Sequence, residues 1–148
     1  MREIKFRAKR LEDNKFVTGS LMKYFDIYPH DDSKIVYYIM NLGGGHAKVD
    51  PETIGQYTGL KDKNGKEIFE GDIVKLENGF WGGLYNYVEI QEDEYCAVYY
   101  DEKYARYDLQ TKDNDTEFKR VVWHQLVNGE IEIIGSIYDN PELVEKVE

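Results

Sequence analysis

The stretch Gly55-Gln-Tyr-Thr-Gly-Leu-Lys-Asp-Lys-Asn-Gly-Lys-Glu-Ile-Phe-Glu-Gly-Asp-Ile-Val74 decides how the rest of the chain reads. Five turn-forming residues, Gly59, Asp62, Asn64, Gly65 and Gly71, stand in it between short apolar and aromatic segments. Asn and Gly accept positive φ, so Asp62-Lys-Asn-Gly65 predicts a tight hairpin tip. Residues 53–58 lead in as a strand, residues 66–69 lead out, Glu70-Gly71-Asp72 is a sharp corner, and residues 73–76 form a third strand. A glycine corner feeding Asp72-Ile-Val74 is similar to the entry of the first barrel strand in SH3-like folds, a step common in β-proteins. Every glycine and acid in the stretch has a geometric job. No nucleophile stands beside a base here, and no phosphate cradle is formed.

Working outward, Ile4-Lys-Phe-Arg-Ala-Lys9 alternates apolar and basic residues, the period of a half-buried strand. Lys5, Arg7 and Lys9 share one face of it, which is expected to be solvated. A polar turn at residues 12–15 leads to a second strand over residues 16–25, completing an opening hairpin. Pro29 and the acids after it make a loop, and the β-branched and aromatic run at residues 34–42 is a strand buried on much of both faces. Gly43-Gly-Gly45 ends it as a flexible tip.

On the other side, residues 78–83 read as a glycine-rich loop carrying Phe80 and Trp81. Residues 84–92, 95–100 and 104–109 read as successive antiparallel strands, residues 110–116 as a polar surface loop. Residues 118–127 and 130–138 flank Asn128-Gly129, a strong hairpin signal. At the end, Asn140 is placed to cap a helix with Pro141 in its first position, and Leu143 and Val147 four apart on one face. The expected fold is mainly β: antiparallel strands in a small SH3-like barrel or sandwich, with an N-terminal β-hairpin subdomain and a short C-terminal helix. The chain is read as one domain, with residues 1–50 as the subdomain and residues 51–148 as the barrel-like core.

The 148 residues are 41% hydrophobic, 32% charged and 14% aromatic, enough apolar surface to offset the entropy of folding. Cys96 is the single cysteine, which excludes an internal disulfide and makes the reducing cytosol the expected compartment. No apolar run is long enough for a membrane helix or a signal peptide, so no membrane contact is expected. Net charge is −10 but uneven: residues 1–24 hold seven Lys/Arg against three Asp/Glu, residues 88–117 three against ten. An acidic total opposes non-specific wrapping of nucleic acid, where neutralising phosphate supplies most of the affinity.

Chemistry-bearing patterns are sparse. His30, His46 and His124 are scattered and lack the paired spacing of a zinc site. Asp62-x-Asn64-Gly65 lacks the leading ligands of a calcium loop, and Asp113-x-Asp115-x-Glu117 has Phe118 where glycine is needed. Gly43-Gly-Gly-His46 resembles an anion nest without the helix that completes one. Neither catalytic residues nor cofactor nor metal is expected. Phe80, Trp81 and Tyr85 are the candidate partner-binding residues, since exposed rings serve as hot spots; the alternative is that they cover a barrel end. Arg2, Lys5, Arg7 and Lys9 are the candidate nucleic-acid contacts. An acidic mimic of DNA charge, built on residues 88–117, is a further alternative, and a hydrolase of unrecognised type the weakest.

The motif Gly55-Gln56-Tyr57-Thr58-Gly59, with Asp62, Gly65, Gly71 and Asp72, closely resembles the hallmark of the YopX family of phage and prophage proteins. The opening Arg2-Glu-Ile-Lys-Phe-Arg-Ala8 and the closing Ile134-Gly-Ser-Ile-Tyr-Asp-Asn-Pro-Glu-Leu143 resemble the family's flanking features, in the same order. The chain departs from it at Ala8-Lys9, where the family often has Ala-Trp, and residues 79–118 follow no family pattern. The resemblance implies a small, mostly β protein of a phage or prophage, acting in the bacterial cytoplasm and with no established catalytic residues, and it leaves room for homo-oligomers. A host or phage protein is the expected partner, ahead of nucleic acid.

Overall fold

The computed structural model describes residues 1, 3–25, 35–76, 94–110 and 131–144 in full, and the backbone of residues 79–82 and 87–90. Twelve strands and two short 3-10 turns make up the described chain, and the described strands pair antiparallel. The fold is mainly β with almost no helix. It divides into two compact units, residues 1–57 and residues 58–148. The sequence places a change of character at residues 50/51; the division by contacts falls inside a strand, between Tyr57 and Thr58.

In the first unit, β1 (Phe6–Lys9) pairs with the start of β2 (Phe16–Phe25), whose remainder pairs with β3 (Ile35–Met40); β3 pairs in turn with β4 (His46–Val49). β2 changes partner at Gly19, which faces Phe6 of β1 while Ser20 already faces Met40 of β3. The close approach requires glycine, because a Cβ there would stand 2.0 Å from the Met40 carbonyl oxygen. The sheet rolls until its outer strands meet. Arg10 bridges Val49, the Leu11 N–H donates to the Lys48 carbonyl at 3.1 Å, and the Asp50 N–H donates to the Lys9 carbonyl at 2.9 Å. Ala8, Ile39 and Val49 are buried inside the roll with Phe6, Val17, Leu21, Tyr37 and Ile54 around them. β4 escapes the sequence reading; four residues with two polar side chains give too short an alternation to read.

After a 3-10 turn at Pro51–Thr53, capped by the Asp50 carboxylate on the Glu52 N–H, β5 (Gly55–Lys61) begins in the first unit and ends in the second. Gly55 and Gln56 pair with Arg7 and Phe6 of β1. Its later part neighbours β6 (Glu67–Phe69) across the Asp62–Gly65 turn. β7 (Asp72–Leu76) lies between β12 (Glu132–Ser136) and β10 (Glu94–Asp101), and β10 pairs with β11 (Arg106–Gln110), giving the order β11-β10-β7-β12. The core here is Ile68, Val74, Leu76, Cys96, Val98, Leu109, Ile131 and Ile133, with Leu60 packed against it. Burying each large aliphatic side chain contributes about 1.5–3 kcal/mol, so these side chains together dominate this unit's stability.

Among the described strands, β8 (Gly79–Gly82) and β9 (Tyr87–Ile90) pair with each other as a two-stranded sheet. Phe80 and Trp81 therefore lie on a strand, not in a glycine-rich loop; β-favouring aromatic residues outweigh the flanking glycines. The expected C-terminal helix is replaced by a 3-10 turn at Pro141–Leu143. Asn140 makes no capping bond there. Its side chain instead lies over Gly135, where a Cβ would meet its Oδ1 at 2.3 Å. Val147, residues 118–127 and the Asn128-Gly129 turn fall outside the described residues.

Candidate functional site

Three places bear on function: the signature stretch, the basic first strand, and the outward face of β2, β3 and β4.

In the signature stretch Thr58, Asp62, Lys63 and Asp72 serve the architecture. Asp62 is 5% exposed, its Oδ1 accepting the N–H groups of Asn64 and Lys66, each at 2.9 Å, and its Oδ2 that of Ile133 at 3.2 Å. Burial pushes its pKa up, and the three backbone donors more than offset that, holding it below the ordinary Asp value. The turn is further fastened to β12 by Lys63, whose N–H donates to the Ile131 carbonyl at 2.9 Å and whose Nζ meets Glu132 at 2.7 Å. Thr58 Oγ1 donates to the Ile68 carbonyl at 2.8 Å and accepts the Leu60 N–H. Buried Asp72 accepts the Phe69 N–H at 2.8 Å, closing the corner on Gly71.

Gly71 has φ +82, and a Cβ on it would meet the Tyr138 ring at 2.8 Å. Its N–H donates to the Val98 carbonyl and its carbonyl accepts the Ile137 N–H. Tyr138 belongs to the closing motif, so the middle and closing features of the sequence touch at this corner. Tyr57 is buried, its N–H donating to the Lys5 carbonyl at 2.9 Å. The described part of the signature gathers no set of reactive groups.

The first strand is not a wet basic face. Arg7 and Lys9 are only 9% and 4% exposed, and both stack on Phe16, the guanidinium 4.3 Å and the ammonium 5.3 Å from the ring centre. Alternation identifies their shared face correctly, but the ring opposite takes up the charge, a cation–π arrangement the period of 2 does not reveal. Lys5 is half-buried, 3.2 Å from Glu3 and 4.8 Å from the Tyr57 ring. Arg2 lies outside the described residues, as do Tyr85, His30 and His124; of the Phe80 and Trp81 side chains nothing is described.

Sequence reasoning misses the outward face of the first unit. Tyr24 and Tyr38 meet edge to face at 5.9 Å, and Tyr38 and His46 at 5.7 Å. The Tyr24 hydroxyl lies 3.4 Å from Met22 Sδ, and Met40 stands directly opposite His46. The pairs Met22-x-Tyr24, Tyr38-x-Met40 and His46-x-Lys48 each carry the period, yet their meeting depends on a register known only once the strands pair. Beside this face lies an open groove of about 520 Å³, lined by Arg10, Phe16, Thr18, Asn41 and His46 among others. Arg10 is engaged there by Asp13 at 3.0 Å, and Asn41 Oδ1 by the N–H groups of Gly43 and Gly45. Both polar groups are committed to the turns that hold them.

Among the described residues no group of three or more His, Cys, Asp or Glu is placed to hold a metal ion. No described helix is long and apolar enough to cross a membrane. Arg106 holds Asp108 at 3.0 Å, and Asp108 also accepts the Leu109 N–H, so this buried carboxylate braces β11.

Comparison with solved structures finds protein EF1440 from Enterococcus faecalis similar, with a TM-score of 0.53 and 24% identity, covering 98% of this chain and 100% of that one. That likeness is one of fold. Nothing among curated proteins matches. The family model described as YopX protein matches residues 5–145. The signature, its flanks and the corner that joins them thus lie within one matched span, and the chain belongs to the YopX family.

Proposed function

We propose that this chain is a non-catalytic accessory module of phage or prophage type, acting in the bacterial cytoplasm by binding a host or phage protein. The observation that carries the reading is the β8–β9 ribbon. Phe80 and Trp81 stand opposite Glu89 and Val88 in register, in a sheet of two strands that joins neither larger sheet among the described residues. A ribbon of two strands is marginal alone in water and gains from a surface to lie on, and Trp is the residue most enriched at binding hot spots. An SH3-like closure of the second unit belongs to the same reading, supported by the Gly71 corner and the bulge between Ile133 and Gly135 in β12. Immobilised full-length protein should retain one saturable partner from host or phage-infected lysate, and Trp81→Ala should lose it. Equal retention by that variant would overturn the reading.

A second reading is favoured by where the charge lies. Residues 1–57 hold nine Lys/Arg against eight Asp/Glu, and residues 58–148 hold ten against twenty-one. The second unit therefore carries the acidity and would act as a mimic of DNA charge on a nucleic-acid enzyme. Competition between this protein and duplex DNA for such an enzyme, relieved by salt, is the outcome expected.

A further inference from the structure

We infer that the outward face of β2, β3 and β4 binds single-stranded nucleic acid, with bases stacking on Tyr24, Tyr38 and His46 and phosphate meeting Lys48. Much of the face is open: Tyr24 is 50% and Met40 38% exposed, His46 and Lys48 are exposed as well, and Tyr38 between them is half-buried beside buried Val36. Its rings meet edge to face in sequence, Tyr24 to Tyr38 to His46, at 5.9 and 5.7 Å. A ladder of this kind holds its rings in place, so a base docking on it finds a surface already ordered. Lys48 stands directly opposite Tyr38 across β3 and β4, which sets a cation beside the middle ring. Rings interleaved with cations on a sheet are how sequence-tolerant single-strand binders work, because every base has a π-face.

Charge agrees with this choice of partner. The three strands, of ten, six and four residues, contain no Asp or Glu, in a chain that has 29 of them. The first unit as a whole is close to balanced, nine Lys/Arg against eight Asp/Glu, so long-range repulsion of phosphate is weaker there than across residues 58–148. An apolar protein anchor would instead call for a deep dry pocket, and the groove beside these rings is open, with Arg10, Thr18 and Asn41 lining it together with Phe16, Val17, Ile39 and Ala47. The contact thus moves off the first strand, where Arg7 and Lys9 are buried against Phe16, and onto the neighbouring strands.

The test is fluorescence anisotropy of labelled oligo-dT and oligo-U, about fifteen nucleotides long to span such a site, against the full-length protein at low salt. Binding that weakens with added salt is expected. Tyr24→Ser and His46→Ala should each weaken it roughly tenfold, as loss of one stacked base does. Lys48→Glu should lower the magnitude of the log–log salt slope by about 0.7, the value for one phosphate on a single strand. All three positions are solvent-exposed, and unchanged circular-dichroism melting of each variant is the check on folding. No binding of either oligonucleotide, or equal binding by all three variants, overturns the proposal. So does a protein partner that is lost on Tyr24→Ser while neither oligonucleotide binds. The Trp81→Ala capture experiment reads a different element, so the two proposals fail separately.

Discussion

Asp62 accepts three backbone N–H groups from a site 5% exposed, and removing its carboxylate strands all three. Hydrogen bonds to a charged acceptor contribute about 1.5–3 kcal/mol each at best, and shared solvent access reduces the sum. Asp62→Ala should therefore cost about 3 kcal/mol or more, read as a fall in denaturant midpoint. Because its pKa is lowered in the folded state, the stability it contributes is present above the ordinary Asp range of about 4 and is lost as pH falls through the folded value. Acid titration of unfolding should show this loss below the ordinary Asp range, and Asp62→Asn should make it shallower. Gly71→Ala meets two costs at once, a backbone at φ +82 and the Tyr138 ring 2.8 Å from the new carbon. A positive-φ penalty of about 1–3 kcal/mol is expected, and Tyr138→Leu in the same chain should recover only the part due to the ring.

At the scale of elements, the β10–β11 hairpin turns through Ala105, an exposed non-glycine residue at φ 50. Ala105→Gly removes that strain and should raise stability by about 0.5–1 kcal/mol, the left-handed penalty less glycine's extra freedom when unfolded. An unchanged or lower melting temperature would count against the turn geometry. The Asp62–Gly65 turn and the Gly71 corner were legible in the sequence because each depends on a residue type the backbone requires: Gly65 and Gly71 at positive φ, Asp62 inside its own turn. Side-chain partners across strands were not legible. Phe16 shielding Arg7 and Lys9, and Tyr38 joining Tyr24 to His46, depend on register, and alternation alone assigns a face without saying what covers it. The C-terminal helix failed for a similar reason: Asn140 had two uses open to it, and packing over Gly135 took the side chain away from the cap.

Across the whole molecule, the acidic excess sits beyond Tyr57, with ten Lys/Arg against twenty-one Asp/Glu. Repulsion of that size is screened as the Debye length falls from about 30 Å at 0.01 M salt to about 10 Å at 0.1 M. Adding salt over that range should raise the melting temperature by a few degrees. No change would mean that the carboxylates are already neutralised by local partners. The central claim is that the family signature builds the fold, while the faces proposed for binding lie outside it. Asp62, Gly65, Gly71 and Asp72 point to the first half from the sequence alone, each with a turn or corner to make; the faces proposed for binding emerge only with the register of the sheets. Native-state hydrogen exchange of the N–H groups on Asp62 and Asp72 tests the claim most directly. The amides of Asn64, Lys66, Ile133 and Phe69 should exchange only through global unfolding, with the same denaturant dependence as the core of β7. Exchange of these four at rates typical of surface loops would contradict it.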